Sequence, residues 1–171
     1  MSQDESSGAM SVAEAIGRKR AIRSYRPEPV PEEVIEAILG AGRRAQSSKN
    51  SQPWTFILVA EREQLQRVST AGSYAAHVPN AAFLVVLVGP PGSEFDLGQA
   101  AAYMQLAGTA HGVGSCVTTL HDSEAAHAIL GVLDELSCRY TVAFGYPAEE
   151  QPPPRVGGRR PLAELVRRER Y

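Results

Sequence analysis

The chain has 171 residues, of which 43% are hydrophobic and 21% charged, so it can form one domain with a buried core and is not disordered throughout. Its formal net charge of −2 gives no electrostatic reason to bind nucleic acid, and its longest apolar run, residues 81–88, is too short to span a membrane. Cys116 and Cys138 lie in apolar runs without a metal-binding spacing, so we expect buried free thiols and a cytoplasmic protein.

Helices and strands are predicted to alternate along the chain. Residues 1–10 are polar and small, which predicts a disordered N-terminus ahead of a single domain over residues 11–171. Apolar spacing and capping residues predict helices at residues 12–16, 31–45, 61–71, 96–111, 123–130 and 161–170. Runs rich in β-branched and aromatic residues predict strands at residues 54–59, 83–88, 115–119 and 138–144. This alternation predicts a sheet layered with helices, in an α/β or α+β fold.

Three segments carry local signals of their own. Ser11 is a candidate N-cap for the first helix, and Glu14 stands at the position that completes a capping box. The apolar run over residues 83–88 is continuous instead of alternating, which predicts a strand buried on both faces. Residues 148–158 contain three consecutive prolines and two glycines, so we expect an extended arm there.

The common motifs of cofactor and metal binding are missing from the sequence. Residues 112–114, Gly-Val-Gly, lack the third glycine of a dinucleotide-binding loop and precede a strand instead of a helix. The sequence has no phosphate-binding lysine loop, no serine-nucleophile elbow and no paired-histidine zinc motif. His121 and His127 are six positions apart, which does not place them on one helical face, so no metal site is predicted.

Two kinds of polar segment stand out instead. Residues 19–25 combine dense positive charge with apolar anchors, and further arginines crowd residues 155–170 near the C-terminus. If the fold brings these basic ends together, they could hold one phosphate, whereas the alternative is solvated charge at two chain ends. Residues 47–52 form a loop of small hydrogen-bonding side chains held by the following proline and tryptophan, which is a suitable place for recognition.

Four segments in this chain order resemble signatures of the FMN-dependent nitroreductase family. The first is RAIRSY at residues 20–25, followed by a proline-flanked valine and a helix. The second and most specific is AQSSKNSQPW at residues 45–54, which is similar to the family loop Ala-Pro-Ser-Ser-x-Asn-x-Gln-Pro-Trp. The remaining two are DLG and HGVGS at residues 96–98 and 111–115, and FGYP and RRPL at residues 144–147 and 159–162.

The resemblance implies an α+β fold, layered like an α/β protein, with a central mixed sheet flanked by helices in a domain-swapped homodimer. FMN would lie at the dimer interface and contact both chains. Lys19 and Arg20 fall where the family binds the FMN phosphate and ribityl chain, and Arg159 falls at the C-terminal phosphate contact. Ala21 replaces the family's usual serine and keeps only a backbone contact. Arg23 falls where a basic residue approaches flavin N1 and O2 and stabilises the reduced flavin.

Two sets of three residues complete the implied site, and His77 falls close to the flavin as well. The partner chain contributes a polar loop containing Ser47, Ser48 and Asn50. Backbone groups pass the N5 edge of the flavin at Thr118, Thr119 and Leu120. The alternatives are a surface ion pair for Arg23 and a strand end packed in the core for the second set.

The function implied by the resemblance is that of a homodimeric oxidoreductase. NADH or NADPH would pass a hydride to flavin N5, and a nitroaromatic, quinone or similar small acceptor would then take the electrons. Flavin electronics and positioning carry this step without a catalytic side chain. Three alternatives stay open: a flavin-binding protein with little turnover, another flavin reaction such as dehydrogenation or dehalogenation, and an interaction protein that uses the basic ends. No nucleic-acid, membrane or metal partner is expected.

Overall fold

The computed structural model describes residues 10–150 and 158–171. Its helices are α1 (Val12–Arg18), α2 (Glu32–Arg43), α3 (Arg62–Ser69), α4 (Glu94–Ala110), α5 (Ser123–Leu130) and α6 (Leu162–Leu165). Its strands are β1 (Thr55–Val59), β2 (Phe83–Gly89), β3 (Gly114–Thr119) and β4 (Ser137–Gly145), with single 3₁₀ turns at Ser48–Asn50 and Val78–Asn80. The predicted disordered N-terminus lies outside the described residues apart from Met10, and so does most of the predicted arm over residues 148–158.

The four strands form one antiparallel sheet in the order β1-β2-β4-β3. The expected α+β fold is confirmed, but the expected mixed sheet is wrong for the described residues. Strands β2 and β3 run in the same direction and are joined by α4, yet they are not neighbours because β4 lies between them and pairs antiparallel with both. The only parallel pairing among the described residues is an isolated bridge between Ala21, which lies outside the named strands, and Ser115 of β3.

Helices cover both faces of the sheet and create two cores. On one face Phe83, Val85 and Leu87 pack with residues of α2 and α4, while the alternate β2 residues pack on the other face with α3 and α5. All seven residues of β2 are buried, which confirms the prediction made from the unbroken apolar run. The sheet therefore holds its two edge strands, β1 and β3, at fixed positions on opposite sides of a rigid centre.

The local sequence correctly predicted the start of the first helix, α1, but not the length of the last helix, α6. The capping box of α1 is confirmed: the Ser11 hydroxyl accepts from the Glu14 N–H, and the Glu14 carboxylate accepts from the Ser11 N–H at 2.9 Å. The predicted helix over residues 161–170 is wrong in length, since only Leu162–Leu165 is helical. Residues 158–171 are all exposed, and a short helix gains little stability without a packed face.

Two further expectations concern burial and membrane association. Cys116 and Cys138 are buried free thiols, as predicted. Within the described ranges, no helix has the length and apolar character needed to cross a bilayer.

Candidate functional site

A cleft of about 670 Å³ borders the outer edge of β3, and its volume is in the usual range for small-molecule sites. The basic segment, residues 19–25, lies close to this edge. The Ile22 N–H donates to the Ser115 carbonyl at 2.9 Å. Gly114 permits the approach, since a Cβ there would lie 2.6 Å from the Ile22 side chain. The cleft lining includes Arg23, Tyr74, His77, Thr118, Thr119 and His121.

A second cleft, of about 560 Å³, lies on α5 and is lined partly by Ser123, His127 and Asp134. It contains none of the residues predicted to bind a cofactor. The β3 cleft contains Arg23, Thr118 and Thr119 from that set, and we therefore take it as the candidate site.

Positive charge from both ends of the chain lies close to strand β3: Lys19 and Arg23 are near the buried thiol of Cys116, and Arg159 is near Lys19. Burial lowers the pKa of Lys19; the nearby Cys116 sulfur opposes this change and the charge of Arg159 adds to it. Burial raises the pKa of Cys116, while the charges of Arg23 and Lys19 act in the opposite direction. The ion pairs seen in the described part of the chain lie elsewhere, so these three cations have no acidic partner there.

Arg20 is placed differently from its basic neighbours. Its guanidinium donates to the carbonyls of Gly17 at 2.7 Å and Lys19 at 2.9 Å, and so caps the end of α1. Ala21 is exposed, with no hydroxyl to offer a ligand. Both bonds use one terminal nitrogen of the guanidinium, so its other N–H groups stay available for the predicted contact with a phosphate or ribityl chain.

His77 and Thr118 form a buried hydrogen-bonded pair in the wall of the cleft. Thr118 Oγ1 lies 3.0 Å from His77 Nε2, and both residues are less than a tenth exposed. Burial lowers the pKa of His77, the charge of Arg23 lowers it further, and a hydrogen bond with the Tyr74 backbone opposes the change. The ring is therefore neutral near pH 7 and ties strand β3 to the turn after α3.

Acidification is expected to destabilise the protein partly through His77. Because the folded-state pKa is lowered, the unfolded chain takes up the proton first, at about pH 6.5. The contribution of neutral His77 to the free energy of unfolding is therefore complete above the pKa of the unfolded chain. It is lost as the pH falls from that pKa to the lower pKa of the folded protein. His77→Gln keeps a hydrogen-bonding partner for Thr118 and should flatten the pH dependence of the unfolding free energy measured in urea. The exposed His111→Gln should leave that dependence intact, and an equal slope in wild type and His77→Gln would contradict the prediction.

The remaining strand residues of the predicted set lie where β3 ends. Thr119 is half-buried and pairs with Tyr140 on β4. Leu120 is 2% exposed, packs in the core beneath α3 and α5, and donates its N–H to the Arg139 carbonyl at 2.8 Å. Its side chain and N–H are therefore used by the fold, and it anchors the strand end.

The predicted partner-contacting loop has a strained backbone. Lys49, Asn50 and Gln52 all have left-handed φ values, of 51°, 54° and 47°. Such values are costly for residues other than glycine, and they are concentrated at sites that clamp ligands. The Ser47 hydroxyl accepts from the Gln52 N–H at 2.9 Å, and the Ser48 N–H donates to the Asp96 carboxylate at 3.4 Å, so internal bonds hold the loop.

This loop and the β3 cleft lie on opposite edges of the sheet. The loop leads into β1, and three strand spacings, about 14 Å, separate β1 from β3. The structure therefore places Arg23 and Thr118 in the β3 cleft, with Lys19 near Cys116 of the same strand, and leaves Ser47, Ser48 and Asn50 at the other edge of the sheet.

Sequence reasoning missed two residues at the cleft mouth, Tyr74 and His121. Their rings are in edge-to-face contact, with centroids 5.8 Å apart. Neither belongs to a motif, and they are far apart in the chain, so no sequence signal could have paired them.

Sequence comparison relates the chain to known oxidoreductases. The profile of the Nitroreductase family matches residues 16–86 and 71–146. A provisionally assigned NADH dehydrogenase/NAD(P)H nitroreductase of Archaeoglobus fulgidus is 33% identical over 145 residues, covering 78% of this chain and 83% of that protein. An NADH dehydrogenase of Thermus thermophilus is 30% identical over 190 residues, covering 87% of this chain and 91% of that protein.

Solved structures with the same fold include two named nitroreductases. An FMN-dependent nitroreductase from Clostridium difficile superposes with a TM-score of 0.74 at 27% identity, over 80% of this chain and 88% of that one. Nitroreductase A from Vibrio parahaemolyticus superposes with a TM-score of 0.84 at 22% identity, over 95% of this chain and 77% of that one. The second likeness concerns the fold alone.

Proposed function

Because this chain belongs to the nitroreductase family of oxidoreductases, we propose that it acts as an FMN-binding homodimer that passes electrons from NADH or NADPH to a nitroaromatic, quinone or similar acceptor. The observation that carries the proposal is the position of Arg23 in the wall of the β3 cleft, with Lys19 near the same buried Cys116 thiol and Arg159 near Lys19, and without an acidic partner for these cations among the described residues. A phosphate dianion and the electron-rich edge of a flavin supply the negative charge that these cations lack.

The cationic residues fit two parts of FMN, its phosphate dianion and the ring edge that becomes negatively charged on reduction. Lys19 and Arg159 would hold the phosphate, and Arg20 with the backbone of Ala21 would follow the ribityl chain. Arg23 lines the cleft and would stabilise negative charge on the ring. FMN, when bound, supplies the hydride and electron transfer, and these side chains bind and orient it.

The uncharged residues would orient the ring and exclude water. Thr118 and Thr119 line the cleft, and Leu120 anchors the end of their strand in the core. The hydrogen bond between His77 and Thr118 keeps that wall rigid, because both partners are buried. A rigid wall holds a reacting ring in a fixed position, which is the main contribution expected from the protein.

A second copy of the chain would complete the site. Ser47, Ser48 and Asn50 lie on the sheet edge opposite the cleft, so they can reach a bound flavin only from a partner chain. The exposed C-terminal segment also has apolar side chains for a partner to cover, since Leu162 and Leu165 are 74% and 52% exposed. We infer that residues 11–171 act as one FMN-binding domain whose exposed C-terminal segment, residues 158–171, contacts the partner chain of the homodimer.

The first test is gel filtration of the purified protein after incubation with FMN. The expected result is a dimer that elutes with flavin absorbance, and the bound flavin should be bleached by NADH or NADPH in anaerobic stopped flow. A colourless protein after reconstitution would refute the cofactor. If the protein binds flavin but neither nucleotide reduces it, the protein is a flavin-binding protein and not an NAD(P)H oxidoreductase.

Mixed dimers are expected to reveal whether two chains share each site. One chain would carry Arg23→Ala, and the other would carry Ser48→Ala with Asn50→Gly, which keeps the left-handed backbone accessible. In a shared site each heterodimer has one intact pocket and one doubly damaged pocket, so random mixing should restore about a quarter of the FMN-binding sites. No recovery above the two parental homodimers, although heterodimers form, would contradict a site built from both chains.

A further inference from the structure

The mouth of the β3 cleft is formed by two loops that are hydrogen-bonded to each other. The turn after α3 meets the loop between β3 and α5, where the Asp122 N–H donates to the Ala71 carbonyl at 3.0 Å. The Ser73 N–H donates to His121 Nδ1 at 3.2 Å. The ring of Tyr74 then contacts the His121 ring edge-to-face at 5.8 Å, so both rings stand together at the opening.

The bond from Ser73 decides which nitrogen of His121 carries the proton. A backbone N–H can donate only to a lone pair, so Nδ1 is the acceptor and the neutral ring is protonated at Nε2. Within the described ranges, no group accepts a hydrogen bond from this Nε2–H. His121 therefore presents a donor of fixed tautomer at the cleft.

Tyr74 supplies an apolar surface next to that donor. Its side chain is 71% exposed although it borders the cleft, so most of its ring is open to a ligand. A hydrogen-bond donor beside an open aromatic ring matches a flat molecule that carries an oxygen acceptor at its edge. Nitroaromatics and quinones both have this combination.

We propose that His121 and Tyr74 select the electron acceptor, with the His121 Nε2–H donating to a nitro or carbonyl oxygen and the Tyr74 ring packing against the aromatic ring. This inference rests on the proposed function, since it names residues that recognise the second substrate of the same site. The oxygen gains negative charge as the acceptor is reduced, so the donor stabilises the reduced form more than the oxidised one. His121 binds the substrate here and transfers no proton or electron itself.

His121→Phe tests the donor, because it keeps a ring against Tyr74 and removes both nitrogens. With the FMN-loaded enzyme we expect kcat/KM for menadione and for nitrobenzoate to fall about tenfold. Turnover with ferricyanide, which has no ring and no such oxygen, should be unchanged, as should reduction of the flavin by NADH and the Kd for FMN. His121→Gln, which keeps a donor, should recover most of the loss. His127→Phe, outside the cleft, is the matched control and should behave like wild type.

Nitrogen NMR of the flavin-free protein tests the tautomer separately. The side-chain spectrum contains four histidines, and the signals lost in His121→Gln identify His121. We expect those signals to show a proton on Nε2, and a proton on Nδ1 would overturn the proposal. A wild-type protein that binds no FMN would refute the proposed function. A wild-type enzyme that turns over, with unaltered kcat/KM in His121→Phe, would refute acceptor selection alone.

Discussion

Replacing Arg23 by alanine is expected to weaken FMN binding by about 30-fold. The Arg23 side chain lines the β3 cleft and has no acidic partner among the described residues, so its charge is available to an anionic ligand. Hydrogen bonds in which one partner is ionised, here the guanidinium facing the flavin ring, are among the stronger ones in proteins. Quenching of FMN fluorescence, titrated with flavin-free protein, would measure the change in Kd.

The control for Arg23 removes the same charge away from the cleft. Arg67 is exposed on α3 and donates to the side chain of Gln64, so Arg67→Ala should leave the Kd for FMN within about twofold of wild type. Binding to wild type should also weaken with added salt more steeply than binding to Arg23→Ala, because one charge contact is gone. Equal losses in both variants would show that overall charge, and not Arg23, governs binding.

Replacing Phe144 by alanine is expected to lower the free energy of unfolding by about 4 kcal/mol. Phe144 is fully buried on β4 and stacks on Phe83, with ring centroids 4.9 Å apart. It is also paired with Ser115 on β3, and its side chain packs in the core between the sheet and α4, so the cavity would form there. Urea unfolding at one fixed protein concentration would measure the loss, since the stability of the proposed dimer would depend on concentration.

The matched control is Phe95→Ala, which removes the same side chain from the surface. Phe95 is 78% exposed at the start of α4, so its loss should change the unfolding free energy by less than about 0.5 kcal/mol. A cost below about 1 kcal/mol for Phe144→Ala would mean that the core between the sheet and α4 collapses around the missing ring.

Local sequence patterns predicted most elements of the fold because the forces that define them act over a few residues. The Ser11 hydroxyl and Glu14 carboxylate are three positions apart, which is the spacing of a capping box, and they form one. The unbroken apolar run of β2 predicted burial on both faces, because only a central strand can remove every side chain from water. The α6 prediction failed for the complementary reason: it had local pattern but no surface to pack on.

Strand order was decided by tertiary structure. Helix α4 joins two strands that run in the same direction, a connection that is compatible with parallel neighbours. The insertion of β4 between β2 and β3 turned both pairings antiparallel. The local sequence of β4 does not indicate its position in the sheet, because that position depends on how the other three strands and the two helix layers pack together.

For the candidate site, too, some features could be predicted from the sequence and others depend on the tertiary structure. The sequence by itself determined which segments are polar or cationic enough to bind a ligand, since charge and hydrogen-bonding capacity belong to single residues. Only the tertiary structure brought Arg159 to Lys19, joined Tyr74 to His121 through Ser73, and left the Ser47–Asn50 region on the far edge of the sheet. These juxtapositions join residues far apart in the chain, and they arise only when burial of the two cores fixes the positions of the sheet edges.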